Sequence, residues 1–448
     1  MNLPTESPPT ESPSPGSAPT RAAIPRFGEA LRFWGLLGCI SFGGPAGQIA
    51  IMHNELVDKR RWIDEEAFLR ALNFCMLLPG PEAMQLATWL GWRLHGLRGG
   101  IAAGALFVFP AALLMALLSW AYLSWQSLPL MSGMVFGLQA AVLGIIVHAA
   151  QRIGGRVLKT PFTVVLALVA LLAIAVLRVP FPLLLLAAAL AGWLVWLVWR
   201  WRPRWLPAAE AATAGHTALP RASLRHALRI GVAFLVLWWV PILAIGAWLG
   251  RDSTAFAMGM FFSKTSLLTL GGAYAVLPYV AAQAVEVQGW LTSAQMMTGL
   301  GLAETTPGPL ILVLEFVGFT GGWQHPDLAT PLASAVLGAM VSVWATFLPS
   351  FLFVLTAAPW IERIGRWPRA NAMLAAVTAC VVGVITHLAL WFGWRLLAVQ
   401  TGSGTVLALA IAALVYLSLA RWRWPVALVV PAAGLAGAIA RSWLPLVA

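Results

Sequence analysis

Charged side chains are scarce in this sequence. Asp, Glu, Lys and Arg make up 10% of its 448 residues, whereas hydrophobic residues make up 60%. A soluble domain carries about 25% charged residues, which form its polar surface. Because this chain cannot build such a surface, its composition excludes a soluble enzyme, a nucleic-acid-binding protein and a disordered chain. We therefore expect an all-α polytopic membrane protein, because helices satisfy their own backbone hydrogen bonds inside a bilayer.

Cysteine and histidine are also few, and their spacing indicates no particular chemistry. Cys39, Cys75 and Cys380 lie singly in apolar stretches, and seven histidines are scattered without HExxH spacing. These patterns support neither a disulfide framework nor a metal site. The GxxxxGKS sequence of an ATP-binding loop is also missing. We expect no metal, no cofactor and no enzymatic activity, with a membrane-embedded enzyme as the alternative from a different class.

Positive charge exceeds negative charge, and the net charge is +12. In a membrane protein this excess indicates topology rather than a nucleic-acid partner, since cytoplasmic loops collect Lys and Arg. Basic residues at 21–32 and 59–61 flank the first apolar segment, so we place the N-terminus in the cytoplasm. Residues 1–26 are rich in Pro, Ser and Thr and predict a disordered tail rather than a signal peptide.

Long apolar segments follow this tail, and two of them are interrupted. A crossing takes about 20 helical residues. Residues 27–52 are broken at Gly43-Gly44-Pro45, and residues 66–95 are broken at Pro79-Gly80-Pro81. We expect both to fold as helical hairpins that enter and leave on one side. The predicted full crossings are residues 99–124, 129–149, 161–178, 180–199, 229–249, 331–357, 371–394, 405–420 and 424–444.

The chain repeats itself internally. Adding 228 takes Gly43-Gly44 to Gly271-Gly272, and Pro79-Gly80-Pro81 to Pro307-Gly308-Pro309. Past a short insertion, adding 239 takes His148 to His387. Ordered matches of this kind indicate a duplication. We predict a first repeat at 27–200, a basic cytoplasmic linker at 201–228, a linking transmembrane helix at 229–250, and a second repeat at 251–448.

Basic residues switch sides between the two repeats. The loop with Lys59, Arg60 and Arg61 has a counterpart, 281–289, without Lys or Arg. Conversely, loop 124–130 contains no Lys or Arg, while its counterpart in the second repeat carries Arg363, Arg366 and Arg369. Under the positive-inside rule this pattern indicates inverted-topology repeats, and the linking helix supplies the odd crossing. The full prediction is nine crossings and four hairpins.

The helix breaks are the strongest candidates for a binding site. Non-helical backbone at membrane depth is tolerated where it is buried in protein or lines a watery cavity. Pro81 and Pro309 are suited to begin half-helices, whose N-terminal amides and dipoles bind oxyanions. Two such ends, related by an inverted repeat, predict a site for a small multivalent anion. The alternative is that each Pro-Gly-Pro sequence is only a tight bend between two helices.

Two segments around the helix breaks closely resemble the chromate transporter family in its long, two-domain form. They are FGGPAGQIAIMHNELVDKRRWIDEEAFLRALNFCMLLPGPEAMQLA in the first half and FFSKTSLLTLGGAYAVLPYVAAQAVEVQGWLTSAQMMTGLGLAETTPGP in the second. The resemblance covers nearly all of residues 27–400. It implies chromate export across the inner membrane and chromate resistance, with sulfate or another oxyanion, taken up or exported, as the alternative. Leu270 and Ala273 depart from the first repeat's Phe42 and Pro45. On this resemblance, the signature positions are Phe42, Gly43, Gly44, Pro45, Trp62, Pro79, Gly80, Pro81, Thr306, Pro307, Gly308 and Pro309.

Charged residues inside apolar segments often mark function. Lys264 precedes Gly271 by about two turns and is a candidate to neutralise a dianion, or else a Lys near a helix end. Gln85 is a candidate hydrogen-bond donor to the anion, or else a helix-packing residue. His148 and His387 match across the repeat, and their alternative is a hydrogen bond between helices. The sequence leaves a homodimer open. The candidates for charge balance or proton coupling are Glu82, Glu304 and Glu315.

Overall fold

The computed structural model describes residues 24–42, 44–199, 224–360, 368–399 and 402–443, and within these ranges the chain forms helices and no strands. The all-α polytopic fold class is therefore confirmed. Several predictions fall outside the described residues. These are nearly all of the tail 1–26, Gly43, most of the linker 201–228, Arg363 and Arg366.

The helices occur in the same order in the two halves of the chain. π-Helical turns follow α2 and α10 at Asn54–Lys59 and Ala282–Val287, which are 228 residues apart. Helix α8, Leu224–Leu249, links the halves and begins before the predicted start at 229. The described helices of the first half are α1 Phe27–Ile40, α2 Gly44–His53, α3 Glu65–Cys75, α4 Glu82–Trp125, α5 Pro129–Val157, α6 Pro161–Ala175 and α7 Phe181–Trp199. Those of the second half are α9 Thr254–Leu268, α10 Ala273–Ala281, α11 Ser293–Thr305, α12 Val313–Gln324, α13 Pro331–Ala357, α14 Pro368–Val399, α15 Ser403–Ala420 and α16 Val426–Trp443.

Seven of the described helices are long and apolar enough to cross a membrane. They account for seven of the nine predicted crossings. The other two predicted crossings correspond to α6 and α16, which are shorter apolar helices. At 1.5 Å per residue, the 15 residues of α6 span about 22 Å, against a hydrocarbon core of about 30 Å.

Capping residues explain where the hairpin arms begin. The Asp64 carboxylate accepts the Ala67 amide at 2.7 Å and starts α3. At the matched position, Thr292 and Gln295 form a reciprocal capping box that starts α11. Each cap satisfies amides that the first helical turn leaves unpaired. The same element therefore begins at the same place in both halves with different side chains.

The first pair of broken segments forms hairpins that open at one end of the bundle, which we call side A. The Arg60 guanidinium lies 3.8 Å from the Glu29 carboxylate, so the start of α1 and the end of the π-turn after α2 lie at the same end of the bundle. His53 Nε2 lies 2.7 Å from the Glu65 carboxylate, which brings the start of α3 to the same end. His95 Nε2 lies 2.9 Å from the Pro25 carbonyl. Both predicted hairpins, 27–52 and 66–95, thus enter and leave at side A.

Helix α4 reverses direction at side A. His95 has φ −137° and Gly96 has φ 61° and ψ −153°, which are not helical values. A Cβ on Gly91 would overlap the Gly99 carbonyl, and one on Gly104 would overlap the Thr88 hydroxyl. Residues 82–94 and 97–125 therefore pack as two antiparallel helices. The second of these runs the length of the bundle to the opposite end, side B.

The second pair of hairpins opens at side B. Gln139, early in α5, donates its Nε2 to the Ala294 carbonyl at 3.1 Å, next to the start of α11. The Asp327 carboxylate, beyond the end of α12, accepts the Thr254 and Ala255 amides at 2.9 and 2.7 Å. The start of α9 and the end of α12 are thereby joined. The two pairs of hairpins thus open at opposite ends of residues 97–125.

The two halves differ in how tightly their first hairpins pack. Eight of the nine residues of α10 are buried, whereas only two of the ten residues of α2 are buried. Helix α10 packs on α14, and α2 has no comparable packing on α5 in the part of the chain described. The bundle is consequently closed around α10 towards side B and looser around α2 towards side A.

Candidate functional site

The helix breaks of the two halves meet and exchange hydrogen bonds. The Gly80 amide donates to the Thr269 carbonyl at 2.8 Å, and the Gly308 amide donates to the Ser41 carbonyl at 2.8 Å. Thr269 matches Ser41, and Gly308 matches Gly80, in each case by 228 residues. Each Pro-Gly-Pro break is therefore bonded to the Gly-Gly break of the other half.

These contacts lie well inside the bundle. A Cβ on Gly80 would overlap the Ser350 hydroxyl in α13, and a Cβ on Gly308 would overlap Ala111 in α4. Ala111 lies about half way along residues 97–125, far from either end. The φ angles of Gly80 and Gly308 are +125° and +98°, which disfavour any residue with a side chain. Glycine is thus required at both positions by conformation and by space.

The prolines around these glycines end one helix and begin the next. Pro81 is the residue before α4, and Pro309 precedes the short 3₁₀ turn Leu310–Leu312. The first amide of α4 that bonds within the helix is that of Gln85, which donates to the Pro81 carbonyl at 3.0 Å. The amides of the first turn, residues 82–84, precede this ladder. Since the Gly80 amide is already bonded, the amides of residues 82–84 are the first-turn donors that lie next to the break.

Gln48 belongs to the candidate site, although it is not among the residues predicted from the sequence. Its side chain is fully buried, and Nε2 donates to the Ser41 carbonyl at 3.2 Å and to the Gly308 carbonyl at 2.5 Å. It therefore joins a break of the first half to a break of the second. The available signal was a polar residue one helical turn after Gly44-Pro45 in an apolar segment. The matched residue of the second half is Val276, so only one half supplies this contact.

Gln85 is also fully buried at the breaks. Its Nε2 donates to the Pro79 carbonyl at 2.7 Å and to the Ser350 hydroxyl at 3.4 Å. The Oε1 atoms of Gln48 and Gln85 have no hydrogen-bond partner among the described residues. Buried polar atoms are usually paired. Two unpaired side-chain oxygens therefore lie at the point where the breaks meet.

The Gly-Gly breaks complete the centre. Gly44, Gly271 and Gly272 have φ angles of +67°, +81° and +98°. Gly272 lies beside Glu82, because a Cβ there would be 3.7 Å from the Glu82 carboxylate. Phe42 is exposed and Pro45 half-buried, whereas Thr306, Pro307 and Pro309 are buried. The residues of the second Pro-Gly-Pro break are thus enclosed, while Phe42 and Pro45 beside the first Gly-Gly break are more open.

The three candidate carboxylates occupy different surroundings. Glu82 is the first residue of α4, where the helix dipole stabilises a negative charge. Glu304 accepts a short hydrogen bond from the Tyr274 hydroxyl. Glu315 is 4% exposed, and its Oε2 has no partner among the described residues. A buried charge is costly unless it is paired, so Glu315 is an uncommon residue to find enclosed among apolar helices.

Lys264 does not join these carboxylates. It lies on an exposed position of α9 and forms no ion pair within the described chain. His387 lines a cavity of about 520 Å³ at side B, together with Arg178 and Glu286. His148 is half-buried in α5, and its Nδ1 has no partner among the described residues. None of these three residues touches the place where the Pro-Gly-Pro and Gly-Gly breaks of the two halves meet, which we call the crossing point of the breaks.

Comparison with known proteins shows which family this chain resembles. The family model described as "Chromate transporter" matches residues 28–193 and 256–438, one segment in each half. A chromate transport protein of Pseudomonas aeruginosa is 34% identical over 437 residues, covering 95% of this chain and 96% of the relative. A chromate transport protein of Cupriavidus metallidurans is 31% identical over 389 residues, covering 86% of each chain. No solved structure shows significant similarity to this chain.

Apolar spanning helices and breaks that cross deep inside the bundle define a multi-pass membrane protein of the transporter class. The family match covers most of both halves, and two relatives above 30% identity span most of the chain. The chain therefore belongs to the chromate transporter family, as the sequence resemblance predicted.

Proposed function

We propose that this protein is a secondary transporter that exports chromate across the inner membrane and thereby confers chromate resistance. The observation that carries the proposal is the reciprocal bonding of the Gly80 and Gly308 amides to the opposite breaks, in a chain of this family. Secondary transporters of repeat architecture bind substrate near the bilayer midplane at broken helices. The crossing of these breaks is the place in this chain that fits that description.

The anion binds at the ends of the half-helices that begin after Pro81 and Pro309. First-turn amides and the positive end of the helix dipole favour a tetrahedral oxyanion there. The buried glutamines Gln48 and Gln85 hold the breaks in place and border the same space. Few cations lie at the crossing point, so the backbone supplies most of the stabilisation.

Movement of the two halves opens the binding site alternately to one side of the membrane and then to the other. Their hairpins open at opposite ends of residues 97–125, which supports inverted topology. The tight packing of α10 and the loose packing of α2 support a state that is open at side A. In the alternate state, the first half adopts the packed arrangement and the second half the loose one. Rocking between these states moves the anion without a continuous pore.

Side A faces the cytoplasm. The side A loops carry Lys59, Arg60 and Arg61, and Arg93 and Arg98 flank the turn at His95. The matched side B loops, 281–289 and 325–330, contain no Lys or Arg. The positive-inside rule places the basic loops in the cytoplasm, together with the N-terminus.

Membrane potential suffices to drive export. A cell interior that is negative favours loss of an anion by about 2.3 kcal/mol per charge per 100 mV. A dianion gains about twice that, so proton coupling is not required. Glu82, Glu304 and Glu315 are the groups that would carry a proton or balance charge if transport proves to be coupled.

Chromate uptake into inverted membrane vesicles from cells expressing the chain tests this function. We expect saturable uptake that is missing from vesicles without the chain. Added sulfate distinguishes the substrate: weak competition supports chromate, whereas stronger inhibition by sulfate than by unlabelled chromate indicates a sulfate transporter. No chain-dependent chromate uptake would exclude chromate as the substrate.

A further inference from the structure

An ion pair joins the π-turn after α10 to the long helix α14 at side B. The Arg395 guanidinium lies 3.7 Å from the Glu286 carboxylate, and both side chains are about half exposed. Arg395 also lies over the Trp391 ring, 5.5 Å from its centroid, which holds the guanidinium along α14. Glu286 is the only charged residue of the segment 281–289. The pair thus connects a hairpin of the second half to the helix on which that hairpin packs.

This ion pair lies between two cavities at side B. Glu286 lines the cavity of about 520 Å³ that also contains His387, whereas Arg395 lines a second cavity of about 500 Å³ beside the start of α11. The π-turn borders both cavities, with Val287 on the first and Val285 on the second. The contact between the π-turn and α14 therefore separates the two cavities.

The first half carries the same two charges at the matched positions. Subtracting 228 takes Glu286 to Asp58, and subtracting 239 takes Arg395 to Arg156. Asp58 belongs to the π-turn after α2, and Arg156 belongs to the last turn of α5. An arginine near the end of a helix also interacts favourably with the helix dipole. The dipole does not account for an acid on the neighbouring π-turn in both halves.

The matched charges of the first half are not paired with each other in this structure. The Asp58 carboxylate lies 3.2 Å from His53 of its own hairpin, and Arg156 is exposed and forms no ion pair within the described part of the chain. The packing of the hairpins explains this difference. Helix α10 packs on α14, whereas α2 has no comparable packing on α5 among the described residues. The pair is thus formed at side B and separated at side A.

We propose that Glu286–Arg395 and Asp58–Arg156 are alternating ion pairs, which hold side B and side A closed in turn. This inference rests on the alternating access of the proposed function. In the alternate state α2 packs on α5 and brings Asp58 to Arg156, while the pair at side B separates and its two cavities join. An exposed ion pair shifts an equilibrium by a factor of about 1.5 to 5. The two pairs therefore position the hairpins and balance the two states without locking either one.

Thiol crosslinking of the full chain in membrane vesicles tests whether Asp58 and Arg156 meet. The pairs E286C/R395C and D58C/R156C are made in a C39S background, because Cys39 is exposed whereas Cys75 and Cys380 are buried. A short bismaleimide is expected to crosslink both pairs and to lower chromate flux to less than a tenth, while each single-cysteine variant keeps most of its flux. The control D58C/R395C joins opposite ends of the bundle and should not crosslink. A crosslink in E286C/R395C without one in D58C/R156C would overturn the proposal.

Removing one charge tests whether each pair biases the two states. E286Q is expected to speed the crosslinking of D58C/R156C by about 1.5- to 5-fold, and D58N to speed that of E286C/R395C by a similar factor. The swapped pair E286R/R395E should restore the original rate at side A. K59Q is the control, because Lys59 pairs with Glu55 inside the same π-turn, and it should change neither rate.

The outcomes separate this inference from the transported substrate. Unchanged rates in E286Q and D58N, or equal changes in these variants and K59Q, would overturn the alternating pairs. If both crosslinks form and respond to charge but the wild type moves no chromate, the alternating pairs hold and the chromate-export proposal fails.

Discussion

At the scale of single residues, two glycines set the geometry of the site. Gly80 and Gly308 combine positive φ angles with close contacts to Ser350 and Ala111. A β-branched residue at such a φ costs about 1–3 kcal/mol from the backbone alone. The overlap of its side chain with the long helices adds to that cost. The amide of each glycine is also the donor that joins the halves.

Gly80→Val and Gly308→Val are therefore expected to reduce chromate flux to less than a tenth of the wild-type rate and to lower the melting temperature of the purified protein. Gly35→Ala is the matched control, because a Cβ on Gly35 in α1 has no atom within 4 Å. It should keep both flux and melting temperature. Wild-type flux in Gly80→Val would contradict the role given to the breaks.

The sequence supports the choice of these residues but not their hydrogen-bond partners. Gly and Pro in register mark a break, because their backbone preferences are local properties. The pairing of Gly80 with Thr269 depends on how distant helices pack, which no local pattern contains. A polar residue after Gly44-Pro45 marked Gln48 locally, but its contacts with Ser41 and Gly308 depend on packing between the two halves.

At the scale of elements, the hairpins depend on tight turns between short helices. Breaks flanked by basic residues predicted the hairpins at 27–52 and 66–95. The reversal at His95 and Gly96 was less visible, although the predicted segments 66–95 and 99–124 leave a gap there. Apolar composition is nearly continuous across this turn, so hydropathy alone does not reveal the change of direction.

Close packing between the two arms of α4 leads to a prediction at Gly99. Gly99→Leu would drive its side chain into the Gly91 carbonyl and separate residues 82–94 from 97–125. Overpacking of this kind destabilises proteins by about 1–3 kcal/mol. We expect a lower melting temperature in detergent and loss of flux. Gly155→Leu, where nothing lies within 4 Å of an added Cβ, should melt like the wild type, and equal melting temperatures for the two variants would refute the hairpin packing.

At the scale of the whole molecule, matched helices of the two halves pack differently. Helix α10 is enclosed, and its match α2 is largely uncovered. The repeat in the sequence predicted two halves of the same architecture and opposite orientation. It did not predict this difference, because matched sequences specify the same set of accessible states rather than which half occupies which state. The difference supports the proposal of alternating access, because a carrier is open to one side of the membrane and closed to the other in each end state.

The most direct test is chromate flux in proteoliposomes that contain only this chain, measured at imposed membrane potentials. We predict chromate movement that depends on the protein, saturates with chromate concentration in either direction, and accelerates as the compartment receiving the anion becomes more positive. Chromate movement at the rate of protein-free liposomes, at every potential, would contradict chromate transport by this chain.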